Sequence, residues 1–156
     1  MIENKITTIF YKSNLDSLER KDQDLINSAI KALNSAYAPY SGFLVGTSIL
    51  LENGEIISGN NQENVAYPSG LCAERVAIFY AGSKYPDVKV KTIAISAISK
   101  KFEIEDMISP CGACRQALSE YELKQSNPLE LYFMGTSGEI ASSKSVENMT
   151  NFSQKS

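Results

Sequence analysis

Apolar residues recur at helical spacing between about Glu19 and Ala36, where Leu25, Ile26, Ala29, Ile30 and Leu33 share one face. That periodicity predicts an amphipathic helix with one side on a core. It ends before Tyr37-Ala38-Pro39-Tyr40-Ser41-Gly42, a turn punctuated by Pro and Gly. Phe43 to Leu51 is rich in β-formers, and Asn53-Gly54 predicts a two-residue hairpin that returns through Ile56 to Gly59. Leu71 to Ala81, with Val76 to Phe79 apolar in a row, predicts a helix buried on most sides and stopped by Gly82 to Pro86. Val90 to Ile98 predicts a hydrophobic strand, followed by a polar connection to Met107. Pro110 then opens a helix reaching about Glu122, since the missing proline N–H costs nothing in a first turn. Leu129 to Met134 predicts another strand, and Thr136-Ser137-Gly138 turns the chain toward a short strand near Ile140. Met1 to Tyr11 alternates weakly, as an edge strand or an arm would, and the tail from Ser142 is polar and poorly defined. Strands alternating with helices predict an α/β layered fold around a central sheet.

The 156 residues suit one domain, 1–156, with an arm at 1–18 and a tail at 142–156 less sharply defined. A hydrophobic fraction of 43% and a charged fraction of 21% are those of a soluble globular protein. With a net charge of −3 and no basic block, the chain lacks the electrostatic footprint for nucleic acid or an anionic membrane. It has no run that could span a bilayer and no signal-peptide core, so a cytoplasmic location is expected. Histidine is absent, which removes Ser-His-Asp and Cys-His catalysis and every imidazole-bound metal.

All three cysteines fall in two short stretches, Cys72-Ala73-Glu74-Arg75 and Pro110-Cys111-Gly112-Ala113-Cys114-Arg115. Cys111 and Cys114 stand three apart at a predicted helix start, so both sulfurs lie on one side and can share an ion. Cys72 supplies a third ligand if the two helix ends face each other, leaving a fourth position for water at a catalytic zinc. Helix N-termini favour thiolate over thiol. Glu74 is placed to take a proton from that water and pass it on. Zinc with three thiolates carries a net negative charge, and Arg75 beside Cys72 would offset it; a surface salt bridge is the plainer reading of that arginine. A lone C-x-x-C also fits half of a structural zinc site or a redox pair, and a lone Cys72 fits a buried apolar residue. Asn60 to Gly70, on its own chemistry, reads as a solvated turn, although such loops often carry binding groups.

From about Asp22 to about Gly138 the chain resembles cytidine deaminase in its short, three-cysteine form. The resemblance rests on Tyr37-Ala38-Pro39-Tyr40-Ser41, Phe43-Leu44-Val45-Gly46, Asn61-Gln62-Glu63-Asn64, Cys72-Ala73-Glu74-Arg75 and Ser109-Pro110-Cys111-Gly112-Ala113-Cys114-Arg115-Gln116. It implies a three-layer α/β/α fold with a central mixed sheet of about five strands, and one Zn2+ per subunit on Cys72, Cys111 and Cys114. It implies Glu74 as proton shuttle, Arg75 on the zinc thiolates and Phe43 against the pyrimidine. Asn61 and Glu63 would bind the sugar hydroxyls, the backbone N–H of Ala73 the base carbonyl, and the carbonyl of Ser109 the departing amine. The implied reaction adds hydroxide to C4 and expels ammonia, converting cytidine or 2′-deoxycytidine to uridine or 2′-deoxyuridine in pyrimidine salvage. A homotetramer with pockets completed by neighbouring subunits is also implied, with Tyr40, Tyr67 and Phe152 as candidate contacts. The chain departs from the family pattern at Val146-Glu147-Asn148-Met149-Thr150-Asn151-Phe152, where Leu-Leu-Pro followed by Phe is usual, and at Thr47 and Ser48, where small apolar residues are commoner. The rival readings are a deaminase of modified cytidines or aminonucleosides, a zinc module without catalysis, and a thiol redox protein.

Overall fold

The computed structural model describes residues 7–104 and 107–150. Leu25, Ile26 and Ala29 turn one side of α1 (Arg20–Ala32) inward, with Leu33 buried in the short 3-10 turn that follows. β2 (Phe43–Leu51) and β3 (Ile56–Asn60) form an antiparallel hairpin. Its loop holds three residues rather than two: Gly54 N–H donates to the Leu51 carbonyl at 3.0 Å, and Leu51 N–H to the Glu55 carbonyl at 2.9 Å. Gly54 then takes φ +87°, the left-handed position of a three-residue hairpin.

After α2 (Ala73–Lys84) come β4 (Val90–Ser99), α3 (Gly112–Gln125), β5 (Glu130–Met134) and β6 (Glu139–Ser143). With β1 (Tyr11–Asn14), the strands make one mixed sheet in the order β1-β6-β5-β4-β2-β3. Only β4 and β5 run parallel, and α3 is part of the crossover that such a pair requires. The sheet has six strands where about five were expected; the addition is β1, which pairs with β6 along an outer edge.

Successive side chains along a strand face opposite sides, and this alternation sorts the molecule into three layers. Ala94, Tyr132 and Ile140 pack on α1. Ile49, Leu51, Ile93, Ile95, Leu131 and Phe133 pack on the other face, against Ala77 and Ile78 of α2 and Leu118 of α3. Two glycines let helices lie directly on the strands. A Cβ on Gly46 would sit 2.1 Å from the Ala29 carbonyl oxygen of α1. On Gly59 it would sit 2.8 Å from the Ala77 nitrogen of α2. Gly59 pairs with Thr47, so Thr47, Val45 and Phe43 all point to the α2 side.

Three expected boundaries shift. Gly82 does not stop α2, because its missing side chain makes room for Tyr121 of α3, whose hydroxyl oxygen would lie 2.4 Å from a Cβ there. Pro110 lies outside α3, whose cap is Cys111. The polar tail contains α4 (Glu147–Thr150), which Val146 and Met149 seal onto the α2/α3 core although both neighbours of each are polar. Among the described residues, no helix is long and apolar enough to cross a membrane.

Candidate metal centre and active site

The chain enters both α2 and α3 through an extended cysteine. Cys72 caps α2 at φ −71°, ψ 152°, and Cys111 caps α3 at φ −66°, ψ 166°. Cys114 sits in the first turn of α3 and is fully buried. The two helix N-termini meet, and the three sulfurs lie within 4.8 Å of one another. Cys72 Sγ and Cys111 Sγ are 3.9 Å apart. Sulfurs bound at ~2.3 Å to a tetrahedral zinc stand about 3.8 Å from each other, so the donor set and its spacing fit that ion.

The electrostatics agree with the geometry. Hydrogen bonds from Cys114 and then Cys72 pull the Cys111 thiol far below its ordinary acidity value. Hydrogen bonding to Cys111 and Cys72, followed by burial, pushes Cys114 far above it. Three sulfurs this close ionise together only around a cation, which inverts the local logic. Arg75 Nη2 stands 3.7 Å from Cys72 Sγ, and this bond raises the arginine's own value, with further contributions from Cys114. The salt-bridge alternative for Arg75 therefore gives way to a sulfur contact.

Glu74 follows in the first turn of α2 and is only 5% exposed. Burial is the main cause that raises its carboxyl above the ordinary range, the nearby Cys111 sulfur adds to this, and a hydrogen bond with Cys114 works against it. Glu74 is thus a buried carboxyl held beside the sulfur cluster. Ala73, between Cys72 and Glu74, is fully buried, and Ser109 is half-buried just ahead of the Pro110-Cys111 corner.

The polar stretch after β3 is exposed at Gln62 and at residues 64–69, as a solvated turn would be, but it is anchored at both ends. Gln62 and Leu71 exchange backbone hydrogen bonds, both 2.9 Å, which ties the stretch to the residue preceding Cys72. Tyr37 N–H donates to the Asn61 carbonyl at 3.0 Å, and Glu63 N–H to the Tyr37 carbonyl at 2.8 Å. The Asn61 side chain clamps β2, accepting from Val45 N–H and donating to the Phe43 carbonyl, each at 2.8 Å. Glu63 accepts from Tyr40 N–H at 2.9 Å, from Ser41 N–H at 3.3 Å and, closely, from the Ser41 hydroxyl. Burial works to raise Glu63, but these bonds prevail and hold its carboxyl below the ordinary range. Phe43, Asn61 and Glu63 are thus joined through one framework. Phe152 lies outside the described residues; Tyr40 and Tyr67 are exposed.

Two groups escaped the sequence reading. Phe102, in the connection after β4, stacks on Phe43; a lone aromatic among Lys100, Lys101 and Glu103 was its only signal. Arg115 Nη1 donates to the Met149 carbonyl at 2.7 Å, joining the metal helix to the segment around α4.

A three-layer α/β/α fold with a sulfur triad and a buried glutamate at facing helix N-termini defines a zinc-dependent deaminase. Residues 19–127 match the cytidine and deoxycytidylate deaminase zinc-binding region. The chain belongs to that family. It is 41% identical over 98 residues to a cytidine deaminase of Halalkalibacterium halodurans, covering 63% of this chain and 70% of that one. A cytidine deaminase of Sporosarcina psychrophila is 37% identical over 118 residues, covering 76% and 80%. The crystal structure of cytidine deaminase from Burkholderia pseudomallei superposes with a TM-score of 0.68 at 32% identity, over 80% of this chain and 93% of that one.

Proposed function

We propose that the protein carries out zinc-dependent hydrolytic deamination of cytidine and 2′-deoxycytidine, yielding uridine or 2′-deoxyuridine and ammonia, as a step of pyrimidine salvage. The observation that carries this reading is the convergence of three cysteine sulfurs within 4.8 Å with the buried Glu74 at the same pair of helix ends. Cys72, Cys111 and Cys114 would hold one zinc ion per subunit. Bound there, zinc supplies a Lewis acid that acidifies a water and offers it as nucleophile at neutral pH.

The remaining work falls to the chain. Glu74 takes one proton from the attacking water and delivers it to the ring nitrogen beside C4, then takes the remaining proton from the hydroxyl added at C4 and passes it to the departing amine. Its burial keeps it out of bulk water, which suits a group that must hold a proton between these transfers. Arg75 spreads positive charge over the Cys72 and Cys114 sulfurs, which keeps three thiolates from cancelling the acidity that the reaction needs. The Ala73 N–H orients the base through its carbonyl, and the Ser109 carbonyl accepts from the amine as it leaves. Phe43 packs on the pyrimidine. Asn61 and Glu63 read the sugar hydroxyls, and their hydrogen bonds to β2 and to the Tyr40-Ser41 turn hold them in place before the substrate arrives.

Homotetramer formation is part of the proposal. Val65 and Tyr67, 83% and 90% exposed on the stretch leading to Cys72, offer apolar surface where a neighbour would complete the pocket. Three free thiols suit the reducing cytoplasm. The test mixes zinc-loaded protein with cytidine or 2′-deoxycytidine and follows ultraviolet absorbance and ammonia, with cytosine as the control. Conversion of cytidine and not of cytosine is expected; no conversion of either nucleoside by zinc-loaded protein refutes the assignment. Glu74→Gln should keep zinc and fold while losing about 10²–10⁴-fold in turnover.

A further inference from the structure

We propose that Phe102 forms, with Phe43, one aromatic wall against which the pyrimidine base packs, so that base affinity depends on the connection after β4. The inference rests on the cytidine reading above. The two ring centroids are 6.4 Å apart with the planes 27° from parallel, an offset stack. Phe43 projects to the face that carries α2 and the metal helices, so its stacking partner stands on the same side. Phe102 is nevertheless 60% exposed. A large ring held on an aromatic neighbour and left otherwise open is suited to a flat partner that arrives from solvent.

The hold on Phe102 is specific. Lys100 N–H donates to the Gly42 carbonyl at 2.9 Å, and Lys101 N–H to the Ser99 hydroxyl at 3.1 Å. Lys101 Nζ donates to the Tyr40 carbonyl at 2.8 Å. Tyr40 and Ser41 are the residues whose N–H groups bind Glu63, and the Ser41 hydroxyl also accepts from Phe43 N–H at 2.9 Å. One turn therefore fixes the carboxylate assigned to the sugar and both rings assigned to the base. Gly42, at φ +71°, packs against Lys101, where an added Cβ would lie 3.3 Å from the lysine Cε.

The test uses the full zinc-loaded chain, with steady-state kinetics on cytidine, calorimetric binding of uridine and thermal unfolding. Phe102→Ala should raise KM for cytidine and Kd for uridine by about tenfold with kcat within about twofold, the scale of one lost aromatic contact. Its unfolding temperature should stay unchanged, since the ring is mostly exposed. Phe102→Tyr should restore wild-type KM, and Phe102→Leu should not. The inference fails if Phe102→Ala leaves KM and Kd within twofold of wild type, if only kcat falls, or if Phe102→Leu equals wild type. Wild-type protein that neither converts cytidine nor binds uridine overturns the functional reading, and this inference with it.

Discussion

Gly59→Ala should damage the metal centre from the opposite end of a packing contact. The added methyl would meet the Ala77 nitrogen at 2.8 Å and the Ala73 carbonyl oxygen at 3.1 Å, both backbone atoms that no rotamer change can clear. Ordinary contact begins at 3.4 Å, so α2 must recede from β3 by about 0.6 Å. Ala73 lies between Cys72 and Glu74, so the retreat moves both relative to Cys111 and Cys114 on α3. Metal–ligand distances tolerate only about ±0.2 Å. We expect a loss of about 1–3 kcal/mol in urea unfolding, together with weaker zinc retention against a chelator and reduced turnover. Gly46→Ala is the control. It places a methyl 2.1 Å from the Ala29 carbonyl and pushes α1 off the other face. Its stability cost should be as large or larger, while zinc retention in the folded fraction stays near wild type. Equal zinc affinity in Gly59→Ala and Gly46→Ala at matched folded fractions would refute the claim that β3 sets the position of α2.

Glu122 binds the C-terminal segment by accepting from Leu129 N–H, Val146 N–H, the Ser145 hydroxyl and Glu147 N–H at 2.7–3.1 Å. Glu122→Gln replaces one acceptor by a donor and should cost about 2–4 kcal/mol in urea unfolding, with faster amide exchange at 145–149. Burial raises the Asp22 carboxyl above its ordinary value of 3.8, and the hydrogen bond from Tyr132 at 3.3 Å only partly offsets this. An acid whose folded value lies above its unfolded one stabilises the fold while protonated. That contribution is present below 3.8 and is lost as pH rises through the raised folded value. Asp22→Asn should remove this decline from the pH profile of the unfolding temperature; an unchanged profile would assign it to other groups.

The layers and the cysteine cluster were legible in the chain because each has a local signature. Period 3.6 marked α1, β-branched runs marked β2 and β4, and cysteines at two predicted helix starts marked the centre. What escaped depends on partners distant in sequence. Gly82 reads as a helix stop until Tyr121 occupies the space it leaves. Val146 and Met149 look isolated among polar residues until α3 covers them. Asn61 reads as a loop amide, and only the backbone of β2 shows that its side chain closes a clamp. Phe102 sits in a charged connection with no periodicity, so its stacking on Phe43 follows from the β2–β4 pairing of Phe43 with Ser99.

The edge pairing of β1 with β6 joins residues far apart in the chain, Tyr11 with Ser142 in register and Lys12 with Glu139 through their side chains, the latter pair 127 residues apart. Synthesis proceeds from the N-terminus and domains fold as they emerge, so β1 leaves the ribosome long before its partner exists. The Cys72 helix can settle on the β2–β3 hairpin early, whereas Cys111 and Cys114 arrive later and the residues that brace their helix, Val146 and Met149, later still. A nascent chain therefore passes through an interval in which Cys72 is presented without Cys111 and Cys114.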